Sequence, residues 1–273
     1  MRKLIVKLFA LSMCIALCFS LVGCSEFSGN YSVKASSKLI DTTFEKLEDT
    51  DIAVEGISGL QLEMSHKITT KTLILTTTAK IKSNYEKNES SYEVISIATE
   101  INTDNEEEQE NRTAFTGYWI KDGYFYTDAQ ITAPNDNYSM QRKYEINSIS
   151  SHLVPDVYSM FDEALESTDF EEIFEMSAKE LEDMGAEVYI DNTKSDNTKI
   201  KIVYNSDNAK DEDYQFDGYM IFVFNANNDI VAMKCNIDAK IDESLHSLNY
   251  TLRNFAGSIK LPKNSENWEM VTF

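Results

Sequence analysis

The stretch Phe115-Thr116-Gly117-Tyr118-Trp119-Ile120-Lys121-Asp122-Gly123-Tyr124-Phe125-Tyr126 places two aromatic, strand-favouring runs on either side of an Asp-Gly pair. Asp-Gly readily adopts the positive φ angles of a two-residue turn, so the stretch predicts a β-hairpin. Its aromatic side chains could form a binding platform. Cross-strand aromatic pairs also commonly stabilise sheets, and we favour that structural role.

Before the hairpin, apolar and polar residues alternate with the period of a strand over residues 60–68, 73–81 and 92–101. Three such runs joined by short polar turns predict an antiparallel meander. The acidic run 104–110 follows them. Its carboxylates could bind calcium, but it lacks a glycine turn and alternating ligand spacing, so a solvated hairpin tip is favoured.

Helical spacing occurs in two parts of the chain. Residues 36–47 repeat apolar side chains every three or four positions, which predicts an amphipathic helix. Pro155 opens a second helical stretch, and Ser177 with Glu180 has the spacing of a capping box for a short helix that ends at Gly185. The middle of the chain is therefore expected to be helical.

The strand period returns after residue 187 and continues to residue 252, and Leu261-Pro262 leads into a C-terminal tail. The order is helix, meander, helices, meander. We predict an α+β fold in which a curved antiparallel sheet, an unclosed half-barrel, wraps around a few helices.

The N-terminal residues have the pattern of an export signal. A basic start (Arg2, Lys3 and Lys7) precedes an apolar core that ends in Leu21-Val22-Gly23-Cys24. Small residues before a cysteine suit cleavage by a signal peptidase and attachment of a diacylglyceryl group to Cys24. A transmembrane anchor is the alternative, since the apolar run is just long enough to span a bilayer. The short flank and the Gly23-Cys24 end favour cleavage.

This interpretation predicts a signal peptide at residues 1–23, a lipidated Cys24 with a flexible tether over residues 24–34, and a single domain over residues 35–273. The protein would lie outside the cytoplasm, anchored to the outer face of the cell membrane by two acyl chains. Cleavage would change the formal net charge from −21 to −24, because three basic residues leave. Nucleic acid and anionic headgroups should be repelled by such a surface.

The sequence carries no recognisable catalytic or cofactor motif. Cys235 would be the one cysteine left besides Cys24, and its place on an alternating strand face indicates a buried thiol rather than a nucleophile. His66, His152 and His246 are scattered and lack a metal-binding spacing. We therefore expect no enzyme activity, no cofactor and no metal site.

With these features, the chain resembles exported lipoproteins of Gram-positive bacteria that share the LolA and LppX/LprG lipid-carrier fold. The resemblance lies in Leu21 to Cys24, in the hairpin continued through Thr127-Asp128, and in the closing strand followed by Leu261-Pro262. It implies an unclosed sheet around helices with a hydrophobic cavity for acyl chains. It implies no catalytic residue.

The long strands also carry more apolar surface than a few short helices need to cover. We therefore expect a lipid or other hydrophobic ligand between the sheet and the helices, lined by Leu62, Met64, Leu73, Leu75, Trp119, Met233, Leu248, Tyr250 and Leu252. The alternative is a structural or protein-interaction lipoprotein whose core is filled by Phe161, Leu165, Phe170 and Phe174. A two-lobed importer component is disfavoured by the strand-rich pattern, and the sequence identifies no protein partner.

Overall fold

A computed structural model describes residues 26–47, 58–101, 110–148, 170–194, 197–210, 215–241 and 243–272. The expected signal peptide and Cys24, nearly all of the acidic run, and the helix after Pro155 with Phe161 and Leu165 lie outside these residues. The described strands are β1 (Gly59–Thr69), β2 (Leu73–Asn84), β3 (Glu89–Glu100), β4 (Glu110–Lys121), β5 (Tyr124–Ala133), β6 (Asp136–Glu145), β7 (Ala186–Lys194), β8 (Asn197–Tyr204), β9 (Phe216–Phe224), β10 (Ile230–Ile241), β11 (Ser244–Asn254) and β12 (Glu269–Val271).

These strands form one unclosed sheet in the order β12-β6-β5-β4-β3-β2-β1-β11-β10-β9-β8-β7. Two meanders, β1 to β6 and β7 to β11, join where β1 pairs with β11. The expected α+β arrangement of one large sheet with a few helices is confirmed at this level. The sheet is mixed rather than purely antiparallel, because β12 pairs in parallel with β6.

The predicted hairpin is confirmed by β4, β5 and their turn. Asp122 and Gly123 both have positive φ angles, 53° and 81°, as a tight two-residue turn requires. The turn fixes the register, so that Trp119 lies opposite Tyr126. Gly117 allows the Trp119 ring to fold back over the strand, since a Cβ atom there would lie 2.2 Å from that ring.

Within the described residues, three short α-helices cover part of one face of the sheet: α1 (Ser37–Phe44), α2 (Phe170–Glu175) and α3 (Ala178–Asp183). Ser177 and Glu180 form the predicted capping box of α3. The carboxylate of Asp41 in α1 accepts a hydrogen bond from the backbone N–H of Ala178, at 2.8 Å. This bond joins α1 to α3, although the two partners are 137 positions apart in the chain.

We call the face that carries Leu62 the inner face and the opposite one the outer face. The main core lies on the inner face, between the helices and the strands β1 and β7 to β11. Phe174 stands at its centre, with its ring centroid 5.3 Å from that of Phe44, 5.0 Å from Phe222 and 5.5 Å from Phe224.

A second, smaller core lies on the outer face under the C-terminal tail. It contains Trp119, Tyr126, Ile259 and Trp268. Glu89 at the start of β3 binds the tail, since its carboxylate accepts hydrogen bonds from the Ser258 hydroxyl and the Ile259 N–H, both at 2.8 Å. The tail crosses the outer face from β11 to β6, and this crossing explains the parallel pairing of β12.

The residues expected to form a free tether make specific contacts with the sheet. Lys199 is 8% exposed, and its ammonium group donates to the carbonyls of Glu26 and Ser28, at 2.5 and 2.7 Å. The N–H of Asn30 donates to the carboxylate of Asp191 at 2.7 Å. Residues 26–35 therefore run along the β7 and β8 edge of the sheet instead of forming a free tether, and their carbonyls supply acceptors that the buried Lys199 ammonium needs.

Candidate functional site

The inner face brings together eight of the nine expected cavity residues, because strand register places them on one side of the sheet. Four of them, Leu62, Met233, Tyr250 and Leu252, are at most 1% exposed. Protein atoms surround these four side chains, so they leave no surface for a ligand. They belong to the filled core beneath the helices.

The other four inner-face residues, Met64, Leu73, Leu75 and Leu248, are only partly buried. Ile68 and Ile237 share their face and their partial burial, since Ile68 pairs with Leu75 and Ile237 with Leu248. We call these six side chains the inner apolar strip. Ile68 and Ile237 were not among the expected cavity residues, although the same alternation that selected Leu75 and Met233 could have identified both.

Trp119 lies apart from this set. It is on the outer face and 2% exposed, and its ring packs against Trp268 with the two centroids 6.0 Å apart. Its indole N–H donates to Glu93 at 3.2 Å. Trp119 is therefore part of the core under the tail and does not belong with the inner residues.

The aromatic residues of the hairpin and of its neighbours β3 and β6 are divided between the two faces. On the inner face, Tyr92, Tyr118, Phe125 and Tyr144 form a ladder of stacked rings with successive centroids 5.9 to 6.0 Å apart. Since each ring presents its face to the next ring, the ladder stabilises the β3 to β6 part of the sheet. The structural role favoured for these residues agrees with this geometry.

Two histidines lie beside the inner apolar strip. The Nε2 atom of His66 and the Nδ1 atom of His246 are 3.2 Å apart, and which of them donates depends on the tautomers. His66 pairs directly with Leu248 across β1 and β11. Burial, and to a lesser extent the neighbouring His246, lower the pKa of His66 below its ordinary value of 6.5.

This lowered pKa predicts a loss of stability in mild acid. The unfolded chain takes up a proton at His66 more readily than the folded one, so the free energy of unfolding should fall as the pH drops through 6.5 and level off below the folded pKa. Urea titrations between pH 7.5 and 5.5 test this. His66→Gln should show a shallower decline, and an unchanged slope in that variant would contradict the assignment.

Cys235 is buried in the main core, as its strand pattern predicted. Burial raises the pKa of its thiol to about 12. Such a group stays protonated at neutral pH and is a poor nucleophile.

Within the described ranges, no group of three or more His, Cys, Asp or Glu side chains is placed to hold a metal ion. The same part of the chain contains no helix that is both long and apolar enough to cross a membrane.

Neither a known protein family nor any curated protein matches the sequence. Among solved structures, the chain is similar to a DUF1329 family protein from Desulfovibrio piger, with 7% identity and a TM-score of 0.20. That match covers 82% of this chain and 93% of the other.

Proposed function

We propose that the protein is a membrane-anchored extracytoplasmic lipoprotein that binds a lipid or other hydrophobic ligand on its inner face, without enzyme activity. The observation that carries this proposal is the inner apolar strip, which stays partly exposed beside a core that is otherwise filled. A contiguous apolar patch that stays partly exposed is typical of a binding surface. Met64 suits such a role, because its thioether adapts to flexible chains.

The position of the inner apolar strip indicates where on the sheet a ligand would bind. The main core covers the inner face at the Leu62 end of β1 and over β7 to β11. A ligand would therefore lie at the other end of β1, where Ile68 pairs with Leu75 of β2 and His66 pairs with Leu248 of β11. There the strip spans four neighbouring strands, β2, β1, β11 and β10, which is about 14 Å across at about 4.8 Å a strand spacing. A sheet that curves like a half-barrel would shelter a chain at this place.

A structural or protein-interaction lipoprotein is the second candidate. Two observations favour it. Leu62, Met233, Tyr250 and Leu252 are completely buried, and Phe174 fills the main core between the helices and the sheet. In that case the inner apolar strip would serve packing alone.

A fluorescent fatty-acid probe distinguishes these candidates. Titrated against the protein lacking residues 1–24, it should bind saturably, and Leu75→Trp should weaken binding by about tenfold or more because the larger side chain blocks the strip. Leu245→Trp is the matched control, since Leu245 lies on the outer face of β11 and is 48% exposed. Equal binding by both variants, or no binding with no lipid co-purified, would remove the carrier function.

The anchor is tested separately at Cys24. Cys24→Ala should abolish the mature lipidated form, because no other residue offers a thiol in the small-residue context at the end of the apolar segment. Cell fractionation with mass spectrometry of the N-terminus checks this. The anchor proposal fails if Cys24→Ala matures and stays with the membrane like the parent.

A further inference from the structure

We infer that the outer face around β8 to β11 lies against the membrane that holds the lipid anchor, and that the β6 and β12 edge points away from it. The partner is a bilayer containing anionic lipid headgroups. The inference rests on the proposed lipidation of Cys24 and adds an orientation to it.

The first argument is the short distance between the anchor and the sheet. Glu26 and Ser28 are bound through their carbonyls to buried Lys199 on β8. Cys24 precedes Glu26 by two residues, so their Cα atoms are at most about 7 Å apart. An acyl anchor at Cys24 therefore holds this part of the sheet close to the bilayer surface.

The second argument is the chemistry of the surface beside that point. The ammonium groups of Lys201 and Lys234 lie 5.4 and 5.9 Å from the centroid of the Tyr219 ring. Lys201 is also 5.7 Å from the ring centroid of Tyr31, in the N-terminal segment itself. Lysine and tyrosine together suit a membrane interface, where cations meet headgroups and amphipathic rings lie at the same level.

Acidic groups also lie near this surface. Burial raises the pKa of Glu26, although the positive charges of Arg253 and Lys199 nearby act in the opposite direction. The carboxylate of Asp191 accepts hydrogen bonds from Asn30 and Thr193. The hydroxyl of Thr193 and these backbone N–H groups lower the pKa of Asp191, so Asp191 stays charged at neutral pH and the surface next to the anchor carries both signs of charge.

The third argument is the contrast with the whole protein. The formal charge of the chain is −21, so most of its surface is repelled by anionic headgroups. Electrostatic attraction decays over about 8 Å at physiological ionic strength. The cations nearest the anchor therefore decide which way a tethered domain turns.

Energy transfer to an acceptor lipid measures this orientation. The lipidated protein, in a Cys235→Ala background, is labelled through Asn236→Cys on β10 or Asn137→Cys on β6 and reconstituted in vesicles of phosphatidylcholine and phosphatidylglycerol. Both positions are exposed. They are seven strand spacings apart in the sheet order, about 34 Å at about 4.8 Å a spacing.

Transfer should be at least twofold more efficient from position 236 than from position 137. Lys201→Glu with Lys234→Glu should reduce this ratio by half or more. Lys38→Glu with Lys179→Glu is the matched control, because it makes the same charge change at exposed positions of α1 and α3. The control should leave the ratio unchanged.

Equal transfer from the two positions in protein that carries the lipid would overturn the orientation while leaving the anchor intact. Equal effects of the two double variants would also overturn it, since net charge alone would then explain the result. A Cys24 without lipid in the mass spectrum would remove the anchor and the orientation together.

Discussion

Replacing Trp119 with alanine should lower the free energy of unfolding by about 3–5 kcal/mol, the usual cost of removing a buried aromatic side chain. The ring is 2% exposed and packs against Trp268 under the C-terminal tail. The variant also leaves Glu93 without the indole N–H that it accepts. Urea unfolding followed by far-ultraviolet circular dichroism measures the change, since part of the tryptophan fluorescence is lost.

The tail should respond in a specific way to the same variant. Backbone amides of residues 259–271 should exchange with deuterium faster, because Ile259 and Trp268 of the tail pack in one cluster with Trp119. Ile97→Ala is the control, since Ile97 lies on the outer face and is 39% exposed. If Trp119→Ala lowers the free energy of unfolding by less than about 1 kcal/mol, as the control should, the packing assigned to the smaller core on the outer face is wrong.

Phe174→Ala should destabilise the protein by a similar amount, about 3–5 kcal/mol, through the inner core. Phe174 is 1% exposed and contacts Phe44, Phe222 and Phe224 through edge-to-face rings. Its removal leaves a cavity that α1 and β9 cannot close without moving. Chemical denaturation measures the loss, and Leu39→Ala on the exposed side of α1 should cost far less.

Together, the two variants test whether the domain unfolds as one unit. Trp119 and Phe174 lie on opposite faces of the same sheet, so each substitution should shift a single transition. The two cores belong to one continuous sheet, in which β1 of the first meander pairs with β11 of the second. Neither meander covers its apolar face alone. Two separate transitions, each sensitive to only one of the substitutions, would show that the meanders unfold independently.

Local structure was readable from short stretches of sequence. Asp122-Gly123 specified both the turn and the register of the hairpin, and Ser177 with Glu180 specified the start of α3. Each depends on hydrogen bonds or φ angles within a few residues, so no distant partner is needed. The buried state of Cys235 followed in the same way from strict alternation along β10.

The candidate site was only partly predictable. Alternation placed Leu62, Met64, Leu73 and Leu75 on a common face. It could not distinguish the buried Leu62 from the partly exposed Leu75, because that difference depends on where Phe174 packs. Trp119 was misplaced because it follows Tyr118 in a strand with aromatic residues on both faces, so alternation does not reveal which one faces inward.

Local sequence patterns encode the elements of this protein, namely long alternating strands, a tight aromatic hairpin, short capped helices and a strand that buries the Cys235 thiol. The way in which these elements meet is visible only in the folded protein. There, β1 pairs with β11, the tail lies over Trp119, residues 26–35 are held on Lys199, and the inner apolar strip stays partly exposed. These contacts join residues far apart in the chain, and their energy comes from burial against surfaces that no local pattern describes.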